Sequence, residues 1–154
     1  MGSGKKAPPS RGAFSFFHPL RVRWAEVDPQ GIVFNANYFV YADVAVTEYF
    51  RKIGFAFPDG LARFGTDLFA VNASADFYAS ARFDAELDLG VRVARLGRTS
   101  FEFEVGVFEN EKSLVSVSLT YVNATRDQSR APTPLPEALV QEILSLEKTP
   151  PERK

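Results

Sequence analysis

The chain has no cysteine and only one histidine among its 154 residues, which excludes a disulfide framework and any zinc site built from Cys and His ligands. Its 18 basic and 19 acidic side chains leave a net charge of −1, so it lacks the one-signed footprint with which nucleic-acid binders hold phosphates. No apolar run is long enough to span a membrane. The N-terminal stretch holds Lys5, Lys6 and Arg11 but not the apolar stretch of a secretory leader, and Lys6 stands where N-myristoylation needs Ser or Thr. A cytoplasmic protein is the expectation. A Walker-type loop, a nucleophile-elbow Ser and an EF-hand are also missing, so catalysis is expected to need neither a metal nor a resident cofactor.

What is present is a rich apolar inventory, 45% of the residues with fifteen Phe, enough for one domain with a real core. Residues 1–13 read as a mobile tail, 14–148 as the domain and 149–154 as a charged tail. Phe14 to Trp24 reads as a first strand interrupted near His18-Pro19. From Asn37 to Ile53 the apolar period becomes 3.6, with Phe39, Ala42, Val46, Tyr49, Phe50 and Ile53 on one face. Asn35 or Asn37 can cap this helix, and Gly54 sits where a left-handed stop is usual. Four strands follow at Leu68 to Tyr78, Glu86 to Leu96, Ser100 to Glu109 and Ser113 to Asn123, and Glu137 to Leu146 suggests a terminal helix. The fold class is therefore α+β, an antiparallel sheet of about five strands. One helix cannot cover both faces of that sheet, so the sheet is expected to curve round it. Apolar residues on both strand faces, Val71, Phe77, Leu114 and Val122 among them, point to a second subunit.

The stretch from Arg23 to Tyr38 speaks most directly about chemistry. It leaves a strand, passes Asp28-Pro29-Gln30-Gly31 and opens the long helix. Such a layout can set the Asp28 carboxylate opposite the unpaired amides of a helix N-terminus, so that a base or nucleophile and an oxyanion donor share one small space. Asp-Pro is also a common turn former, and a helix start is also just a cap.

Asp28-Pro29-Gln30-Gly31-Ile32-Val33, followed by Asn37-Tyr38 and an aromatic-rich helix, resembles the hotdog-fold acyl-CoA thioesterases, and within them the 4-hydroxybenzoyl-CoA thioesterase family. Arg95-Leu96-Gly97-Arg98-Thr99-Ser100-Phe101 is similar to that family's hairpin between its third and fourth strands. The likeness covers roughly residues 20–127. It implies a sheet wrapped round the central helix, a homodimer, often a dimer of dimers, and active sites at the subunit interface. It also implies an acyl-CoA or aryl-CoA substrate such as 4-hydroxybenzoyl-CoA, with coenzyme A as part of the substrate. By the resemblance Asp28 is the catalytic carboxylate, the Asn35 backbone N–H polarises the thioester carbonyl and Gly31 holds the loop to the substrate. Two positions depart from many relatives: Glu26, where they have Asp, and Asn35, where some have His or Tyr.

Phe34 and Tyr38, nearest the loop, are candidates to line an acyl or aryl pocket. Arg95 and Arg98, with Thr99 and Ser100 beside them, can grip coenzyme A phosphates or simply be solvated hairpin residues. Glu48, on the polar side of the helix, can approach an active site from a partner chain or form an ordinary i,i+4 pair with Lys52. His18, beside a proline and among aromatics, is a strand residue rather than a general base. A non-catalytic acyl-CoA-binding or regulatory module on the same fold is the competing reading. A hydratase would need an Asp/His pair, which His18 is badly placed to supply.

Overall fold

The computed structural model describes residues 6–154. Strand β1 (Phe16–Arg21) leads through a loop into α1 (Asn37–Lys52); β2 (Thr66–Phe77), β3 (Glu86–Leu96), β4 (Ser100–Glu109) and β5 (Lys112–Thr125) follow, then α2 (Glu137–Leu146) and β6 (Glu152–Arg153). The main sheet runs β1-β3-β4-β5-β2, with each neighbouring pair antiparallel. Alternation in β3 and β4 sets the register: Leu89 faces Val107 and Val91 faces Val105, so all four side chains enter the core together. The β4–β5 link turns on Asn110, whose φ of 54° suits a two-residue hairpin.

Helix α1 lies across the inner face. Tyr38, Tyr41, Ala42, Ala45, Val46, Tyr49 and Phe50 are buried, their 3.6-residue period giving a stripe that meets Phe101 and Phe103 from the strands. Gly54 ends the run with φ of 86°. Helix α2 buries Leu139, Val140 and Ile143 against the same core.

The outer face has a floor of two cross-strand glycines, Gly90 opposite Gly106. A Cβ on Gly90 would stand 2.9 Å from the Phe14 ring, and one on Gly106 would stand 2.6 Å from the Phe108 ring, so only glycine admits these aromatics. Here the N-terminal expectation needs correcting. Residues 1–5 lie outside the described residues, but Ser10 caps a 3-10 turn over Arg11–Ala13 and Phe14 is fully buried. Arg11 bridges Asp88 at 2.9 Å and lies 4.5 Å over Phe17. The charged C-terminal stretch is also tied to the body of the protein. Lys148 N–H donates to Ser15, Thr149 donates to the Ala13 carbonyl, and β6 pairs in parallel with Arg95 and Leu96 of β3.

Two local expectations also change. Strand β1 passes through His18-Pro19 without a break, because an edge strand has one open side where a missing N–H costs nothing. Neither asparagine caps α1: the cap is Ala36, and Asn37, already helical, turns its side-chain amide back to the Glu26 carbonyl.

Candidate active site

Asp28 sits at the head of a tight hook. Its carbonyl accepts the Gly31 N–H at 2.8 Å, its own N–H donates to the Ile32 carbonyl at 2.9 Å, and Val27 and Val33 bridge the two limbs. Gly31 completes the turn at φ 79°, a left-handed conformation that any side chain would strain. The second limb is tied to the body of the protein, Val33 N–H donating to the Ala81 carbonyl. One Asp28 carboxylate oxygen accepts the Gln30 N–H at 2.8 Å, while the other takes no hydrogen bond among the described residues and the side chain is half-buried.

The limb ends at Asn35, where α1 begins. Phe34 N–H is spent on the Glu26 carbonyl and Asn37 N–H on that of Phe34, but among the described residues nothing accepts the N–H of Asn35 or Ala36. These are the orphan donors of a helix start, aligned with the positive end of its dipole. Beside them a cleft of about 210 Å³ opens between Asn35, Tyr38, Phe77, Tyr78, Ala79 and Ser80. Tyr38 is buried, and its hydroxyl accepts the Ala81 N–H at 3.1 Å, so the same tyrosine shapes the cleft and fixes its far wall. Burial pushes the Tyr38 phenol up, against the pull of the Ala81 amide, so it stays neutral.

The base of the hook rests on Glu26, a buried carboxylate. Its oxygens accept the Arg23 N–H at 2.8 Å, the Arg23 guanidinium at 2.9 Å and the Tyr41 hydroxyl at 2.8 Å. Burial opposes the charge, yet the Arg23 amide, the Arg23 side chain and Tyr41 together outweigh it and hold the carboxyl below its ordinary value. Tyr41 is pushed up by burial and by the Glu26 charge.

Of the residues singled out in the sequence, Asp28, Gly31, Asn35 and Tyr38 lie along one hook and cleft, although Asp28 itself does not line the cleft. Phe34 follows the hook but points outward, 57% exposed. Arg95, Arg98, Thr99 and Ser100 are not brought together with them. They flank the β3–β4 turn at the opposite end of α1, where Phe50 meets Phe101, and a 16-residue helix separates the two ends by about 24 Å. Sequence reasoning missed the roles of Glu26, Asn37 and Tyr41, and the cleft wall formed by residues 77–80. The signal for Glu26 was the Arg23-x-x-Glu26 spacing of a capping box, in which the fourth residue reaches back to the first N–H.

A sheet curved over one long helix, with a carboxylate hook at the helix start, is the hotdog architecture. The model of the thioesterase superfamily matches residues 30–116, opening two residues after Asp28. The acyl-CoA thioester hydrolase YbgC of Escherichia coli is 25% identical over 128 residues, covering 83% of this chain and 95% of that protein. Among solved structures, a thioesterase from Thermus thermophilus complexed with coenzyme A and Zn is 30% identical, covers 90% of this chain and 98% of its own, and superposes with a TM-score of 0.74. A Pseudomonas aeruginosa protein reaches a TM-score of 0.80 at 27% identity over 92% and 97% of the two chains. The chain belongs to the thioesterase superfamily and is by class a thioester hydrolase.

Proposed function

We propose that this protein hydrolyses an acyl-CoA thioester to the free acid and CoA, with Asp28 as nucleophile or general base and the Asn35 N–H as oxyanion donor. The observation that carries this reading is the juxtaposition in one short hook of a carboxylate oxygen and a helix-start N–H that, among the described residues, have no hydrogen-bond partner. A thioester carbonyl is electrophilic and its thiolate leaves readily. Asp28 either adds to the carbonyl, expelling CoA thiolate to leave a mixed anhydride that water then cleaves, or takes a proton from the attacking water. Both routes end in acid and thiol.

The cleft beside Asn35 has the volume of one aromatic ring or a short acyl chain, and the rings of Tyr38, Phe77 and Tyr78 are among its walls. That supports an aryl-CoA, 4-hydroxybenzoyl-CoA included, or a short aliphatic ester over a long-chain one. A homodimer, assembled further into a dimer of dimers, is part of the proposal. Trp24, Phe34 and Phe83 leave an exposed aromatic patch beside the hook, with Trp24 and Phe83 in edge contact at 5.2 Å, as a second subunit would require. Arg95 and Arg98, remote from the hook of their own chain, then serve coenzyme A only from another copy.

One observation favours the competing reading of an acyl-CoA-binding module: the Gln30 N–H already engages Asp28 in an ordinary turn. Incubating the protein with benzoyl, hydroxybenzoyl, phenylacetyl and aliphatic CoA esters and detecting free thiol separates the two. Thiol release is expected, fastest for a single-ring or short ester. Saturable binding of these esters with no thiol released by any of them would replace hydrolysis with binding alone.

A further inference from the structure

We propose that Glu26 is a positioning residue for this reaction, holding the Asp28 hook at a fixed distance from the Asn35 amide by tying the hook's entry to the helix at Tyr41. The inference rests on the thioesterase reading above.

Glu26 is joined to both limbs of the hook and to the helix they lead into. Its carboxylate receives the N–H and guanidinium of Arg23, where the chain enters the hook, and the hydroxyl of Tyr41, one turn into α1. Its carbonyl receives the N–H of Phe34, on the returning limb, and the side-chain amide of Asn37, at the helix start. Five hydrogen bonds from four residues converge on one amino acid. Asp28 lies two residues after it and Asn35 one residue after Phe34, so the two reacting groups hang from adjacent points of the same frame. The residue is buried and does not line the cleft. A carboxylate is required there because two donors from Arg23 and one from Tyr41 need three acceptor lone pairs in different directions. An amide in its place would turn its NH2 group toward at least one of those donors.

Positioning matters because a near-attack geometry is lost over small distances, and a displacement of about 1 Å can cost roughly 100-fold in rate. The test compares wild type with Glu26→Gln, Tyr41→Phe and, as a distant control, Glu147→Gln, through steady-state kinetics on the best CoA ester and amide hydrogen exchange. Glu26→Gln is expected to lower kcat by roughly 10- to 100-fold with KM within about twofold, because substrate binding survives while alignment does not. Tyr41→Phe is expected to lose less, since the Arg23 bonds remain. In both, the amides of Gly31, Phe34 and Asn37 should exchange at least about tenfold faster with the rest of the core unchanged, and Glu147→Gln should leave kcat and these amides as they are.

An unchanged kcat in folded Glu26→Gln overturns the proposal. So does a loss of activity accompanied by faster exchange throughout the core, which would make Glu26 a stabilising residue only. Should Glu26→Gln fail to fold, Tyr41→Phe decides by the same two readouts. If wild type releases no thiol from any ester, the thioesterase reading fails by itself, and the exchange data alone then decide whether Glu26 holds the hook: acceleration confined to residues 28–37 keeps that role, and its absence removes it.

Discussion

Helix α1 carries two buried tyrosine–carboxylate pairs two turns apart, and they behave oppositely. At the start of the helix Tyr41 donates to Glu26, which Arg23 also holds, and the acid is shifted down. Near its end Tyr49 donates to Glu147 at 2.6 Å, with Val93 N–H as the second donor at 3.0 Å, and burial shifts this acid up despite both bonds and the more distant Arg92. The difference is the direct cation and the satisfaction of lone pairs. Both oxygens of Glu26 are used, whereas one oxygen of Glu147 is buried with no hydrogen-bond partner among the described residues. Charge can therefore be kept at the hook end, while the far end uses its carboxyl to fasten α2 and the C-terminal stretch to the core. One end of the helix carries the candidate site and the other fastens the C-terminal segment.

That contrast can be broken in several ways. The largest effect on stability is expected from Glu147→Ala, which removes the acceptor of the buried Tyr49 hydroxyl and Val93 N–H. A loss of about 3 kcal/mol with kcat unchanged is the prediction, read from denaturant unfolding and thiol release. Reduced kcat in that variant, with KM and fold intact, would erase the distinction between the two ends.

A smaller effect, opposite in sign at the two ends, is expected from pH. Glu26 is an acid with a lowered folded pKa, so its contribution to stability is complete above the ordinary 4.5 and is lost as pH falls through the folded value. The gap in Tm between wild type and Glu26→Gln should then narrow on acidification. Glu147 is an acid with a raised folded pKa, so its contribution is complete below 4.5 and is lost as pH rises through the folded value. Glu147→Gln should accordingly gain on wild type as pH rises. Parallel pH profiles for the two variants would show that the ends do not differ in the way described.

The parts of this molecule that were legible in the sequence are those fixed by local pattern. The alternation of Leu87, Leu89, Val91 and Val93, and of Phe101, Phe103, Val105 and Val107, gives β3 and β4 with their observed bounds, and the apolar spacing after Pro136 does the same for α2. The Asp28-to-Gly31 turn is equally local, because an Asx acceptor and a left-handed glycine act within four residues. What escaped depends on partners distant in sequence. Glu152 and Arg153 carry no strand signature and pair only because the edge of β3 beyond β1 is open. Arg11 looked like one more charge on a tail until Asp88, Phe17 and Phe108 gave it a seat. Glu26 read as a departure from a motif, since the Arg23-x-x-Glu26 spacing does not announce the Tyr41 hydroxyl, fifteen residues on, that it also accepts. The β3–β4 turn residues show the converse, a motif that matches locally while the fold carries it to the far end of the helix.

The claim on which the rest depends is that Asp28 performs the chemistry. The direct measurement is kcat for Asp28→Asn on whichever CoA ester the wild-type protein cleaves fastest, with the fold verified by an unchanged Tm. A loss of at least ~100-fold, the usual scale for removing a catalytic acid, base or nucleophile, is predicted. A folded Asp28→Asn protein that released thiol at the wild-type rate would contradict it.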